Sequence, residues 1–340
     1  MNNIEKYSED EFLIKYNFII EKATKPLSPV SQPTAYILGG QPGAGKTTIQ
    51  KILAKSDSNI FIVNADAYRQ YHPHFYEIQS IYGDYSPKYT QPFINEVTEK
   101  LIDDLSDRKY NLLIEGTLRT SEVPIKTAQR LKYKGYRVEL CVMAVKPEIS
   151  FESTILRYEN ALLFGEIPRA TSKEHHDLVV DKIANNLDTI YNSNIFDCIK
   201  IFTRNKGCIY SSNLSKQKPS EIEKNIILGK WSDFEKENLI EIIQSIRELK
   251  QSRNSDDLSK YIKHSDELLF MLNNLSTQSE LVKKSNLSLE QVALLYKSNI
   301  PFKCKKIAED NFTIVFNRSN LETVKRILNS TLNKRNRPKR

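Results

Sequence analysis

The sequence predicts an α/β fold: a parallel sheet with helices on both faces, followed by a mostly helical, basic C-terminal extension. Three observations lead there. Short apolar runs alternate with amphipathic stretches over the first 212 residues, the pattern of strands joined by crossover helices. The first run stops at glycines spaced as in a phosphate-binding loop. Past about residue 213 the alternation ceases, and residues 205–340 hold 25 Lys+Arg against 16 Asp+Glu, whereas the first 204 hold 25 against 26.

In chain order, Ser8 is a candidate N-cap for a helix over 8–23 with Phe12, Tyr16, Ile19 and Ile20 on one face. Pro26, Pro29 and Pro33 stiffen the link into a strand from Thr34 to Leu38. A helix from Thr47 to Lys55 and a strand from Ile60 to Val63 follow. Tyr68 to Tyr89, rich in Tyr, His and Pro, reads as a functional loop with short helices. Gln91 to Leu105 is helical, Leu112 to Ile114 a buried strand, Pro124 to Lys134 a helix closed by Gly135, and Arg137 to Ala144 a strand. Helices from Pro147 to Phe164 and Ser172 to Tyr191 flank a polar loop, Gly165 to Thr171. A strand from Phe196 to Phe202 pairs with Cys208 to Ser211. Pro219 to Arg253 is expected as amphipathic helix, Asn254 to Asp257 as a linker, and Leu258 to Tyr296 as more helix. Two short strands, Phe302 to Ile307 and Phe312 to Phe316, precede a helix from Ser319 to Leu332. The domains so drawn are 1–33 (helix and linker), 34–212 (core), 213–257 (helical extension and linker) and 258–340 (small basic module).

Composition narrows the class. The 340 residues suit two or three modules, and 39% hydrophobic with 27% charged residues is ordinary for a globular protein. No apolar run approaches membrane-span length and the N-terminus has no signal-peptide core, so the expected location is cytoplasmic, with no membrane partner. Cys141, Cys198, Cys208 and Cys304 form no C-x-x-C pair and read as reduced thiols. Residues 325–340 carry seven basic and no acidic side chains, which leaves nucleic acid open as a partner of this tail.

The chemistry begins at Gly40-Gln41-Pro42-Gly43-Ala44-Gly45-Lys46-Thr47-Thr48. Glycines let backbone N–H groups turn inward around phosphate oxygens. Lys46 reaches the β- and γ-phosphates as a point charge, and the Thr47 hydroxyl is placed for Mg²⁺. The helix behind the loop adds its N-terminal dipole. The strand–loop–helix setting is that of a P-loop kinase-like core, expected to bind a nucleoside triphosphate. Asp66 stands past the second strand and Glu115 past the third, at the strand ends where chemistry collects. Phosphoryl transfer to a hydroxyl needs a carboxylate to take the proton, so Asp66 is the candidate base and Glu115 the candidate metal or supporting group. Arg119 projects at the same edge. Arg157 and Arg169 flank the turn near Gly165 as a lid, where planar, always-charged forks can close on phosphate oxygens. Glu99, on a helix, reads by itself as a solvated carboxylate. His72 and His74 lack metal-ligand spacing and read as loop histidines. His175 and His176, adjacent in a helix, point in different directions. The tyrosines between Tyr68 and Tyr89 suit either base stacking or loop packing.

The phosphate loop, Asn64-Ala65-Asp66, Ile114-Glu115-Gly116-Thr117-Leu118-Arg119, Arg157 and Ile167-Pro168-Arg169 together resemble the zeta toxin family over about residues 30–204. The resemblance implies a kinase that uses ATP and Mg²⁺ to phosphorylate the 3′-hydroxyl of UDP-N-acetylglucosamine, a toxin whose small epsilon-like antitoxin blocks the nucleotide site. It implies Asp66 as base, Lys46 on the phosphates, Thr47 on Mg²⁺, and Arg157 and Arg169 on the transferring phosphoryl. Glu99, Thr117 and Arg119 would hold the sugar nucleotide, with Glu115 in support. The residues alone leave two other readings open: a kinase of another hydroxyl substrate, such as a polynucleotide end or small antibiotic, and a nucleotide-switched nucleic-acid-binding protein.

Overall fold

A computed structural model of the chain describes residues 4–279, 281–296, 302–317 and 323–328. Two compact units divide it, Met1–Leu258 and Ser259–Arg340. The first holds a six-stranded sheet of β1 (Thr34–Gly39), β2 (Ile60–Val63), β3 (Asn111–Ile114), β4 (Arg137–Met143), β5 (Cys198–Thr203) and β6 (Gly207–Ser211). Their spatial order is β2-β3-β1-β4-β5-β6. The first five are parallel, and β6 returns antiparallel to β5. A parallel sheet is covered on both faces, so β3 buries every residue and β4 all but Arg137. The Asn111 side chain accepts from the Thr34 N–H at 2.8 Å and donates to Asp57 at 2.9 Å, which pins the register at the strands' amino ends.

The helices of this unit are α1 (Glu9–Thr24), α2 (Lys46–Ser56), α3 (Phe75–Tyr82), α4 (Ser86–Tyr89), α5 (Gln91–Asp107), α6 (Glu122–Tyr133), α7 (Pro147–Leu163), α8 (Lys173–Asn192), α9 (Pro219–Leu228) and α10 (Asp233–Ser252). Ser8 and Glu11 form a capping box at the start of α1, and Phe12, Tyr16, Ile19 and Ile20 are its buried face, as the spacing predicts. They join the core with Phe93, Val97 and Leu101 of α5 and the strand residues Leu112 and Leu140. The 68–89 stretch begins within a 3-10 helix, Ala65–Tyr71, and continues through α3, a 3-10 turn at Gly83–Tyr85, and α4. His72 packs edge-on against the rings of Tyr7 and Phe93 in the core, where burial holds its pKa below the usual imidazole value. Tyr82 stacks on Tyr89, whereas Tyr76 and Tyr85 face solvent.

The helical stretch expected over 219–253 is helical, as two helices, α9 and α10, with the break at Gly229. Residues 213–257, expected as an extension and linker, pack into the first unit: α9 lies on α8 and β5, and α10 on α7.

The second unit contains α11 (Leu258–Ser279), β7 (Leu281–Leu287), α12 (Leu289–Tyr296), β8 (Phe302–Ala308), β9 (Asn311–Asn317) and a helical stretch over 323–328. Its antiparallel sheet has the order β7-β9-β8. The continuous helix expected over 258–296 is therefore corrected, since strand β7 interrupts it. Cross-strand pairing decides here: Val282 faces Phe316 and Lys284 faces Ile314, partners some thirty residues away that local periodicity does not register. Leu287, Val292, Leu295, Ile314, Val324 and Leu328 form its core. Of the helix expected over 319–332, residues 323–328 are helical, and residues 319–322 and 329–332 lie outside the described residues, as does most of the basic tail. All four cysteines are free thiols. Among the described residues no helix is long and apolar enough to cross a membrane.

Candidate active site

Strand β1 lies between β3 and β4, so the loop after it opens at the carboxyl edge of the sheet's centre. Gly43 has φ +73°, and a Cβ there would stand 2.0 Å from the Ser150 carbonyl oxygen, so the turn admits only glycine. Gly45, also left-handed, caps α2 without a side-chain hydrogen bond and leaves its first amides open to an anion. Lys46 Nζ donates to the carbonyls of Gly40 at 3.1 Å and Gln41 at 3.4 Å. Burial pushes its pKa down to about 8, with Glu115 pulling up and Arg157 and Arg169 pushing further down. Thr47 is exposed and Thr48 half-buried on the same turn; Pro42 and Ala44 are buried.

The loop is tied from below and from the side. Gln41 is fully buried, and its Nε2 donates to the Val145 carbonyl at 2.9 Å and to Ser150 Oγ at 3.3 Å. Ser150 Oγ meets His176 Nε2 at 2.7 Å, and His176 Nδ1 meets Asp177 at 3.0 Å. Arg204, the first residue past β5, donates from Nε to the Ala44 carbonyl at 3.0 Å and from Nη2 to the Gly43 carbonyl at 2.5 Å. Its other bonds reach Ser153 at 3.0 Å and Asn238 at 3.1 Å. Burial lowers the Arg204 pKa to about 10.

Two carboxylates stand at this edge. The Glu115 N–H donates to the Val63 carbonyl at 3.0 Å, which carries the β2–β3 ladder one residue beyond the strands. Its carboxylate accepts from Gln50 of α2. Burial raises the Glu115 pKa, opposed by Lys46, the Gln50 hydrogen bond and Arg157, so these groups form one electrostatic cluster. Asp66 lies in the 3-10 helix after β2, where the Asn64 side chain accepts from its N–H at 3.1 Å. Its Oδ1 accepts from Arg69 Nε at 3.1 Å, and its Oδ2 pairs with Arg169. Arg69 is itself held at 2.8 Å by the Pro87 carbonyl, Thr90 and Gln91.

The segment expected as a lid comprises the C-terminal part of α7, the loop after it and the start of α8. A cleft of about 430 Å³ lies along it, lined by Ser153, Leu156, Arg157, Asn160, Phe164 and Arg169, among others. Arg157 Nη2 donates to Thr171 Oγ1 across the loop at 3.3 Å. Burial lowers the pKa of both Arg157 and Arg169.

After β3 the chain turns sharply at Leu118, a left-handed residue (φ 57°) whose carbonyl accepts from Asn186 at 2.8 Å. The turn buries Leu118 and leaves Arg119 exposed, with its N–H on Thr117 Oγ1 at 3.4 Å. The His175 pKa is lowered by burial and then by the charges of Arg119 and Arg169. Glu99 stands apart on α5, exposed and paired with Arg130 of α6 at 2.8 Å.

The sequence does not single out Arg69 or Arg204, and it sets His176 aside as one of two adjacent helical histidines pointing in different directions. Arg204 carried a usable signal, its position at the carboxyl end of a parallel strand. His176 carried none, since its partner Ser150 lies on another helix.

A glycine-bounded loop at the central strand, strand-end carboxylates at the same edge and two arginines on and after α7, on this strand order, define a P-loop kinase-like protein. A family model described as zeta toxin matches residues 19–215. Toxin PezT of Streptococcus pneumoniae is 42% identical over 238 residues, covering 69% of this chain and 94% of the relative. Toxin zeta of Streptococcus agalactiae is 39% identical over 216 residues, covering 62% of this chain and 75% of the relative. A solved chain of the PezAT chromosomal toxin–antitoxin system of Streptococcus pneumoniae superposes with TM-score 0.69 at 40% identity, over 72% of this chain and 99% of that one. The AvrRxo1-ORF1:-ORF2 complex, at 16% identity and TM-score 0.50 over 74% of this chain and 85% of that one, shares the fold. This chain belongs to the zeta toxin family, as a zeta/PezT-type toxin with a kinase-like fold.

Proposed function

We propose that the protein is an ATP- and Mg²⁺-dependent kinase that phosphorylates the 3′-hydroxyl of UDP-N-acetylglucosamine. One observation carries the reading: a carboxylate, Asp66, past β2 at the carboxyl edge of the sheet on which the phosphate loop also opens, is paired with Arg169, whose charge also bears on Lys46. Lys46 and the α2 amides hold the β- and γ-phosphates. Asp66 takes the proton of the attacking hydroxyl. For this, Arg169 exchanges Asp66 Oδ2 for an oxygen of the transferring phosphoryl, which frees that carboxylate oxygen, while Arg69 keeps Oδ1 in place. Arg157 supports the phosphoryl from the other side of the lid. Thr117 and Arg119 hold the sugar nucleotide, and Glu99 does so in competition with Arg130.

The Thr47 hydroxyl and the Glu115 carboxylate would hold the Mg²⁺. Among the described residues no group of three or more His, Cys, Asp or Glu could cage a metal. A hydroxyl and a carboxylate are hard oxygen donors of the kind Mg²⁺ takes, with waters and phosphate oxygens as its other ligands. When bound, the ion neutralises charge on the β- and γ-phosphates. The PezAT relative, described as part of a toxin–antitoxin system, supports an antitoxin as the partner. That the antitoxin is small and covers the nucleotide site, and that the protein works in the cytoplasm, belong to the same proposal.

The test is purified protein with ATP, Mg²⁺ and a panel of nucleotide sugars, read for phosphorylated product. Phosphate on the amino sugar of UDP-N-acetylglucosamine is expected. Transfer to a polynucleotide end or an antibiotic, with the sugar nucleotide untouched, would overturn the substrate assignment.

A further inference from the structure

Three consecutive residues of α7 point three ways, as a helix advancing roughly 100° per residue requires. The charge of Arg157 bears on Lys46 and Glu115. Tyr158 donates its hydroxyl to Asp84, beyond α3, at 3.2 Å. Glu159 turns to α10 and has no exposed side-chain surface. Its Oε1 accepts from Lys250 Nζ at 2.7 Å and Arg253 Nη2 at 3.0 Å, and its Oε2 from Arg253 Nε at 2.8 Å. Lys250, 4% exposed, also holds Asp257 at 2.7 Å. Burial pulls the Glu159 pKa up, but the bonds from Arg253 and Lys250 hold it below the usual carboxylate range.

The bonds of this cluster described above run from α7 to α10 and Asp257. An apolar seam would join α7 to α10 as firmly, because a buried ion pair offsets its own desolvation only with good geometry. What a bidentate fork adds is direction: it fixes the angle of Glu159 and hence the rotation of the helix. A second pin holds the other end of α7. Lys146, at its N-cap, is buried and donates to the carbonyls of Gly229 at 2.6 Å and Ile227 at 3.3 Å. Both pins draw their far halves from residues beyond 215, where the family match ends.

We propose that the Glu159–Lys250–Arg253 cluster is a positioning device: α10 sets the rotation of α7 through Glu159, and so aims Arg157 at the transferring phosphoryl. This rests on the role given above to Arg157. Glu159 is a positioning residue, and its effect passes through Arg157 alone.

The experiment is a double-mutant cycle in the full chain, using Glu159→Gln, Arg157→Ala and the pair. Two quantities are read: turnover with ATP, and affinity for ADP with aluminium fluoride, a mimic of the transferring phosphoryl that needs no sugar acceptor. Glu159→Gln is expected to lower kcat about 10- to 100-fold, leave KM for ATP within threefold, and weaken ADP–aluminium fluoride by a similar factor. In the Arg157→Ala background it should change either quantity less than twofold. Arg253→Ala, at a more exposed partner, should give the same pattern more weakly and covers the case in which Glu159→Gln does not fold. Equal losses in both backgrounds would mean general destabilisation and overturn the proposal, as would unchanged kcat and affinity. If the wild type binds the mimic but does not phosphorylate the sugar nucleotide, the substrate reading fails while the cycle still decides the positioning role.

Discussion

Replacing Arg204 with methionine keeps most of the side-chain bulk and removes every donor. Two of the lost bonds end on carbonyls of the phosphate loop, Gly43 and Ala44, and the loop cannot turn to find others because Gly43 is wedged against Ser150. A carbonyl left without its partly buried donor costs about 1–3 kcal/mol. Ser153 and Asn238 are half-buried and can turn to water, so the two carbonyls dominate, at about 3 kcal/mol together. In a unit of this size that lowers Tm by roughly 6–12 °C. If half of the cost is borne by reordering the loop around phosphate, ATP binds about tenfold more weakly, at ~1.4 kcal/mol per factor of ten. Thermal melts and ATP calorimetry on the same preparation measure both effects. A variant with unchanged Tm and ATP affinity within twofold of wild type would refute the idea that Arg204 holds the loop's shape.

Asp66→Asn keeps size and hydrogen bonding but cannot accept a proton, so kcat should fall roughly 10²- to 10⁴-fold with ATP affinity little changed. A collapse of ATP binding instead would make Asp66 structural or metal-linked. Because the Lys46 pKa is pushed down to about 8, its positive charge is full only well below that pH, half lost at it, and falls away as pH rises further. kcat/KM for ATP should therefore decline as pH rises through about 8, and a profile flat to pH 10 would contradict the assigned environment. Lys46→Ala should abolish transfer while far-ultraviolet circular dichroism stays unchanged; near-normal turnover would remove Lys46 from the mechanism. Deleting 325–340, which belong to the second unit, should leave turnover intact and make polyanion binding weaker and less salt-dependent. Loss of turnover in the soluble truncated protein would show that the tail serves catalysis.

Much of the first unit was legible because its signals are local. Apolar runs of strand length, Ser8 ahead of Glu11, and glycines before Lys46 each state their structure within a few residues. Strand β7 was not legible, since its stability lies in pairing with β9, although Ser288 and Gln291 do mark the start of α12 through the Ser288 N–H bond to the Gln291 side chain at 3.0 Å. In the site, the loop and the strand-end carboxylates could be read from position. The partners of those carboxylates could not: Arg69 is three residues from Asp66 and Arg169 more than a hundred, yet both meet it.

What the sequence determined by itself is the chemistry available and the edge of the sheet where it gathers, because motif spacing and strand period are properties of a short stretch of chain. Tertiary structure alone decided which charges face each other. The burial that lowers the Lys46 pKa, the Arg204 bonds around the loop and the α10 cluster on Glu159 all join residues from distant parts of the chain. Electrostatic interaction depends on distance in space and on the solvent displaced, and neither is fixed until the helices are packed.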